Sequence, residues 1–241
     1  MRILCIIPAR SGSKGIPDKN IKLLNGKPMI AYSIEQALSS KFRKLMRIIV
    51  STDSQEYADI SKKYGAEVPF LRPTIISQDL STDEELIKHT EKFLRENEKY
   101  ESDIIIQIRP TYPLRNIELI DDCIKIFIEK RLEYDSLRTV ILNNKTPYKM
   151  YRIINNELIP YFTEFYSREL NKIIKEPYNQ CRQILPKTYL HNGYVDIFNT
   201  EILKLNTISG NKIYPYIMNE KEIYDIDTIN DFKNVEKILI N

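Results

Sequence analysis

The sequence predicts an α/β fold of the Rossmann type, a mainly parallel mixed sheet flanked by helices. Three observations carry that prediction. Ile3, Leu4, Cys5, Ile6 and Ile7 form an unbroken apolar run, the pattern of a strand covered on both faces. Apolar runs of this kind then alternate with stretches of helical spacing. Polar and cationic residues gather just after the strands, where open α/β sheets bind their ligands.

Pro8 ends the first strand, and a loop follows that holds Arg10, Ser11, Gly12, Ser13, Lys14, Gly15 and Lys19. Residues 21–26 read as a short extended segment closed by an Asn25-Gly26 turn. Pro28 suits the first turn of a helix that Met29, Ile30, Ser33, Ile34, Ala37 and Leu38 carry to about residue 40. Residues 46–50 are the next strand, with Ser51, Thr52, Asp53 and Ser54 at its carboxyl end. A helix over 56–64, stopped by Gly65, and a third strand over 66–70 follow. Residues 72–83 are irregular and polar, and Ser81 or Thr82 caps a helix over 84–99. Residues 103–108 form another buried strand, which two prolines in 109–115 prevent from continuing. A helix over 117–131 and a strand over 136–142 come next. Residues 145–179 break the rhythm, crowding Tyr148, Tyr151, Tyr161, Phe162, Phe165, Tyr166 and Tyr178 into a segment of weak periodicity that reads as an inserted arm. The chain then returns to a strand over 194–198, a helix over 200–205, a strand over 213–218 and a closing helix over 230–240.

A length of 241 residues fits one domain, 1–241, carrying that arm. With 42% hydrophobic and 29% charged residues the composition is that of an ordinary globular chain, which argues against disorder. A net charge of +3 gives no support to a nucleic-acid binder. Cys5, Cys123 and Cys181 are odd in number and far apart, so free thiols are expected rather than a disulfide framework or zinc pair. No leader and no apolar run near the ~20 residues of a membrane span is visible, so a cytoplasmic protein without a membrane partner is expected.

The loop after the first strand is the first candidate site. Amides and hydroxyls around Gly12 and Ser13, with Arg10, Lys14 and Lys19, can converge on a polyanion such as a triphosphate, although the loop is neither a Walker A sequence nor a dinucleotide fingerprint. A solvated basic turn is the plainer reading of the same residues. Asp225 and Asp227 are the second candidate. Two carboxylates one residue apart on an extended segment suit Mg²⁺, which takes one or two carboxylates plus phosphates and waters. Asp227 and Thr228, helped by Asp231, also read simply as the start of the last helix. Arg109, Arg115 and Arg182 sit in loops and suit carboxylates or phosphates.

Taken together, these motifs resemble the acylneuraminate cytidylyltransferases, which include CMP-sialic acid and CMP-Kdo synthetases. The resemblance runs nearly end to end. It is carried by residues 7–20, by Gly26-Lys27-Pro28-Met29-Ile30-Ala31-Tyr32, by residues 50–53 and 109–115, by Arg182-Gln183 with Leu185-Pro186, by Asn192-Gly193, and by the stretch from Asp225 to Phe232. It implies a Rossmann-like nucleotidyltransferase in which a sugar's anomeric hydroxyl attacks the α-phosphate of CTP, with Mg²⁺ as cofactor and pyrophosphate leaving. The implied catalytic groups are Arg10, Lys14 and Lys19. Ala9, Arg10, Ser11, Gly12, Ser13, Lys19, Asn20, Ser81 and Thr82 fall to the nucleotide, Arg109, Arg115, Arg182, Gln183 and Asn192 to an acidic sugar, and Asp225 and Asp227 to the metal. A homodimer is implied too, the 145–179 arm lending itself to a neighbour's site. Arg109 and Tyr112 stand where sialic acid synthetases often carry glutamine and a small serine, which leaves a sialic, legionaminic or pseudaminic type of acid open, along with another anionic acceptor or another nucleotide on the same fold. A catalytically idle nucleotide-binding protein is the reading from outside the enzyme class.

Overall fold

Strand β1, Ile3–Pro8, is buried along nearly its whole length because it has parallel neighbours on both edges and helices packed over its side chains. The computed structural model describes residues 1–219 and 223–240, which divide into two compact units, 1–139 with 193–241 and 140–192. In the first unit β1 leads to the hairpin of β2, Leu23–Leu24, and β3, Lys27–Pro28, and then to helix α1, Met29–Leu38. Strand β4, Met46–Ser51, and helix α2, Gln55–Lys63, follow, with Ser54 capping the helix by accepting from the Tyr57 amide. Helix α3 is Asp83–Glu98, strand β5 Ile104–Gln107, helix α4 Ile117–Lys130 and strand β6 Ser136–Asn143.

The second unit contains two β-hairpins, β7, Tyr151–Ile154, with β8, Glu157–Pro160, and β9, Glu164–Ser167, with β10, Lys172–Lys175. The segment read as an arm of weak periodicity is built of regular hairpins. Its strands are only four residues long, too short for a periodicity to register. Tyr148 stacks against Phe162 and Phe165 within this unit, which accounts for part of the aromatic crowding.

Strand β11, Thr188–Asn199, brings the chain back, and β12, Ile213–Met218, and helix α5, Ile229–Ile240, complete it. The main sheet runs β12-β6-β11-β5-β1-β4. β4 and β5 lie parallel to β1, and β11 runs antiparallel to β5, so the sheet is mixed as expected. Two expectations need correction. Residues 66–70 contribute only an isolated bridge between Glu67 and Ile49, because Pro69 has no amide with which to extend the ladder. Residues 200–205 form a 3₁₀ rather than an α-helix.

Two clusters of buried side chains hold the ligand-facing loops in place. One joins Leu4, Ile6, Ile49 and Ile105 of the sheet to Leu86, Ile87 and Leu94 of α3. The other gathers Ile16 of the first loop, Leu24, Met29, and Ile226, Phe232 and Val235 from the far end of the chain. Burying those apolar side chains together draws the segment before α5 against the loop after β1.

Candidate active site

The loop after β1 is tied down at several points by its own polar residues. The Ala9 amide donates to the Ser51 carbonyl at the end of β4, 2.9 Å away. Ser11 donates twice to Asp53, from its amide at 2.8 Å and its hydroxyl at 2.7 Å. Burial works against the Asp53 charge, but these two donors, together with the Asp53 amide and the nearby Arg72 charge, outweigh it and hold the carboxyl below the usual carboxylate range. Gly12 turns the chain at φ +72°, a conformation that a side chain disfavours. Asn20 is buried and its side-chain amide donates to the Arg10 carbonyl at 3.1 Å, closing the loop on itself.

Residues 225–227 meet this loop from the other side. Ile226 is fully buried in the cluster with Ile16, and its amide donates to the Thr111 carbonyl at 2.9 Å. Lys19, with only 14% of its side chain exposed, donates to the Ile226 carbonyl at 2.8 Å and to Asp227 Oδ1 at 3.2 Å. A Cβ on Gly15 would stand 2.8 Å from the Asp227 carbonyl oxygen, so the two backbones touch only because residue 15 is glycine. The start of α5 has its own cap. Asp231 Oδ2 accepts from the Thr228 amide and hydroxyl, and Thr228 Oγ1 accepts from the Asp231 amide. The carboxylate of Asp227 is left to Lys19.

Asp225 has a different environment from Asp227. Its Oδ2 accepts from the buried Tyr112 hydroxyl at 3.0 Å, and its Oδ1 is buried with no hydrogen bond of ordinary geometry. Burial raises its pKa, and the nearby Asp227 charge adds to the rise, against the hydroxyls of Thr111 and Tyr112. A buried carboxylate oxygen with no hydrogen bond of ordinary geometry, on a residue separated by one position from an exposed carboxylate, suits a divalent cation. Among the described residues no three His, Cys, Asp or Glu side chains cluster as metal ligands, so the protein's share of such a site would be these two carboxylates. That is the share Mg²⁺ takes when phosphates and waters complete its shell.

Between the loop and this segment lies a cleft of about 410 Å³. Arg10, Ser13, Lys14, Gly15, Lys19 and Asn20 line one side, and Arg72, Ser81, Asp83, Arg109, Thr111 and Asp227 line the rest. Arg10 and Lys14 both pair with Asp79, Arg10 Nη1 at 3.0 Å from Oδ1 and Lys14 Nζ against Oδ2. Arg72 is buried, donates to the Ser51 carbonyl at 3.2 Å and keeps a buried Nε with no partner among the described residues. Arg109 bridges Asp83 at 2.7 Å and the fully buried Asp196 at 2.6 Å. Burial alone would weaken the Arg109 charge, and these carboxylates more than restore it.

Of the residues expected at a nucleotide, Arg10, Ser13, Lys14, Lys19, Asn20 and Ser81 therefore line one cleft with Asp227. Others have local work. Ala9 and Ser11 anchor the loop to β4 and Asp53, and Gly12 shapes its turn. Thr82 is the N-cap of α3, accepting from the Glu85 amide while Glu85 accepts from the Thr82 amide. Arg115 is corrected from a sugar contact to an internal brace. It is 4% exposed, donates to the Tyr194 carbonyl, Gln36 Oε1 and the Arg109 carbonyl, and lies over the rings of Tyr112 and Tyr194. Burial lowers its pKa to about 10. Arg182, Gln183 and Asn192 belong to the second unit, where Arg182 lines a smaller cavity of about 280 Å³ with Asn144, Pro186 and Lys187. Sequence alone does not single out Arg72, Asp79 and Asp83, although the irregular polar segment 72–83 marks their neighbourhood. Nor does it give Gly15 a role beyond membership of the loop.

Residues 4–238 match the family described as cytidylyltransferase. The chain belongs to that family. This cytidylyltransferase is 34% identical to "Post-translational flagellin modification protein B" of Campylobacter coli over 98% of the chain and 94% of that protein. It is 33% identical to the CMP-N,N'-diacetyllegionaminic acid synthase of Campylobacter jejuni, again over 98% and 94%. It is likewise 33% identical to the N-acylneuraminate cytidylyltransferase of an Escherichia coli strain, over 96% of the chain but only 51% of that longer protein. Among solved structures, a CMP:2-keto-3-deoxy-manno-octonic acid synthetase complexed with CTP shares the fold, with a TM-score of 0.69, 14% identity, and coverage of 100% of this chain and 99% of that one.

Proposed function

We propose that the protein joins CMP from CTP to the anomeric hydroxyl of a nonulosonic acid of sialic, legionaminic or pseudaminic type for surface glycan synthesis. The observation that carries this reading is the cleft itself, where Arg10, Lys14 and Lys19 from one end of the chain face Asp227 from the other. Asp225 and Asp227 would hold Mg²⁺, which when bound neutralises charge on phosphate oxygens. Arg10 and Lys14 bind the outer phosphates, and Lys19 fixes the position of Asp227. The sugar oxygen forms a bond to the α-phosphorus, the α–β anhydride bond breaks, pyrophosphate leaves with the bonding electrons, and the hydroxyl proton is released. Such a transfer depends on positioning and fixed charge rather than on a covalent nucleophile.

Exposed apolar side chains in the second unit, among them Ile153, Leu158, Tyr161 and Ile173, support the further reading that this arm meets a second copy of the chain in a homodimer. Sedimentation velocity checks that point, and a monomer at micromolar concentration would remove it. The catalytic reading is tested by following pyrophosphate release with CTP, GTP, UTP and ATP against a panel of nine-carbon keto acids, with product mass as the second readout. A CMP-linked product from one of the acids is expected. Absence of turnover with CTP and every acid sinks the proposal, and a preference for GTP or UTP turns it to another nucleotidyl transfer. Chelation by EDTA is expected to abolish turnover, with recovery on adding Mg²⁺.

A further inference from the structure

Arg10 and Lys14, two cations of the cleft wall, converge on the same carboxylate. Arg10 Nη1 lies 3.0 Å from Asp79 Oδ1, and Lys14 Nζ pairs with Asp79 Oδ2. One side chain thus presents two anionic oxygens to two cationic donors, as the edge of a phosphate group would. Asp79 stands on a tight turn in which the Ser81 amide donates to the Gln78 carbonyl at 3.1 Å and the Gln78 amide donates to Ser81 Oγ at 2.9 Å. Ser81 lines the cleft, so the turn that carries Asp79 is part of the cleft wall. Leu80, at the tip, is 93% exposed, so little packing holds the turn down.

We propose that Asp79 is an affinity-setting residue, a carboxylate that occupies the polyphosphate seat on Arg10 and Lys14 until a polyphosphate displaces it. The inference rests on the reading of that seat as the one for the outer phosphates of CTP. A carboxylate brings a single negative charge, whereas a triphosphate or pyrophosphate brings several, so the incoming anion wins the exchange. After transfer, the same carboxylate competes with pyrophosphate for the two cations and favours its release. CMP has one phosphate and gains much less from the two cations.

Exposed ion pairs each shift an equilibrium by no more than roughly fivefold, and these two share one carboxylate and do not add fully, so removing both should tighten polyphosphate binding by about three- to tenfold. The test is isothermal titration of the full chain with CTP, inorganic pyrophosphate and CMP, using the parent, Asp79→Asn, Asp79→Ala and Asp79→Glu. Asp79 is half exposed on its turn, and thermal unfolding checks that each variant is folded. Both neutral variants are expected to bind CTP and pyrophosphate about three- to tenfold more tightly, with CMP affinity nearly constant and Asp79→Glu close to the parent. Unchanged or weaker binding of pyrophosphate by the folded neutral variants, while the parent binds CTP, overturns the inference and leaves the cytidylyl reading intact. If the parent binds neither CTP nor pyrophosphate, the seat itself is misassigned and the inference falls with it.

Discussion

Lys19 is the residue on which the two halves of the cleft depend, because its ammonium holds both a backbone carbonyl and a carboxylate of residues 226–227. Lys19→Ala removes a fixed cation from the cleft proposed to hold the phosphates and unpins Asp227. Steady-state assays should show kcat/KM lower by about 10²-fold or more, the scale seen when one preorganised donor is lost from a site that stabilises developing charge. Ser11 shows a different kind of dependence. Its loss, as Ser11→Ala, removes one hydrogen bond to Asp53 and should cost about 1 kcal/mol at neutral pH in urea unfolding. Because the folded pKa of Asp53 lies below its unfolded value, the stabilisation is complete above the unfolded value of about 3.9 and fades as pH falls through the folded one. The gap between parent and Ser11→Ala should therefore narrow in acid, and a gap that stays constant from neutral pH to pH 3 would refute the assignment.

At residue 15 the loop after β1 meets the segment before α5 backbone to backbone, with no room for a side chain. Gly15→Ala must push the Asp227 carbonyl away, and overpacking of this kind costs about 1–3 kcal/mol. Thermal unfolding should register that loss, and the Mg²⁺ concentration for half-maximal rate should rise with it. At the other end of the cleft, Thr82→Ala should weaken the start of α3 by about 1 kcal/mol, since it removes half of a reciprocal cap. These elements show what the sequence could and could not convey. The apolar run of β1 and the cationic loop behind it were legible because burial and charge are local properties. The cap at Thr82 was legible as one of two candidates, whereas the bracing roles of Ser11 and Arg115 were not, because a hydroxyl or guanidinium near a ligand loop looks the same whether it faces the ligand or braces the loop. Arg72, Asp79 and Asp83 went unassigned because only tertiary contacts bring residues 72–83 against Arg10, Lys14 and Arg109.

Across the whole molecule the three cysteines report on whether the core is intact. Cys5 and Cys123 are buried and Cys181 is exposed. Burial pushes the Cys5 thiol up to about 12 and raises that of Cys123 as well. A thiol reagent at neutral pH should therefore titrate one thiol rapidly in the folded protein and three after unfolding. Rapid reaction of a second thiol without denaturant would contradict the packing of β1 or α4. The order of the main sheet, with β11 inserted between β6 and β5, was not readable from local pattern, since strand neighbours are chosen by packing across long stretches of chain.

The pairing of Lys19 with Ile226 and Asp227 spans 207 and 208 positions. During synthesis the loop after β1 emerges well before its carboxylate partner and waits for it. Contacts of such separation carry a large loop-closure cost and form late. Nascent chains that stop short of residue 225 should thus fold much of the sheet yet bind polyphosphate without organised carboxylates. In refolding from urea, helical signal should return before metal-dependent CTP binding, so that catalytic competence marks the end of folding.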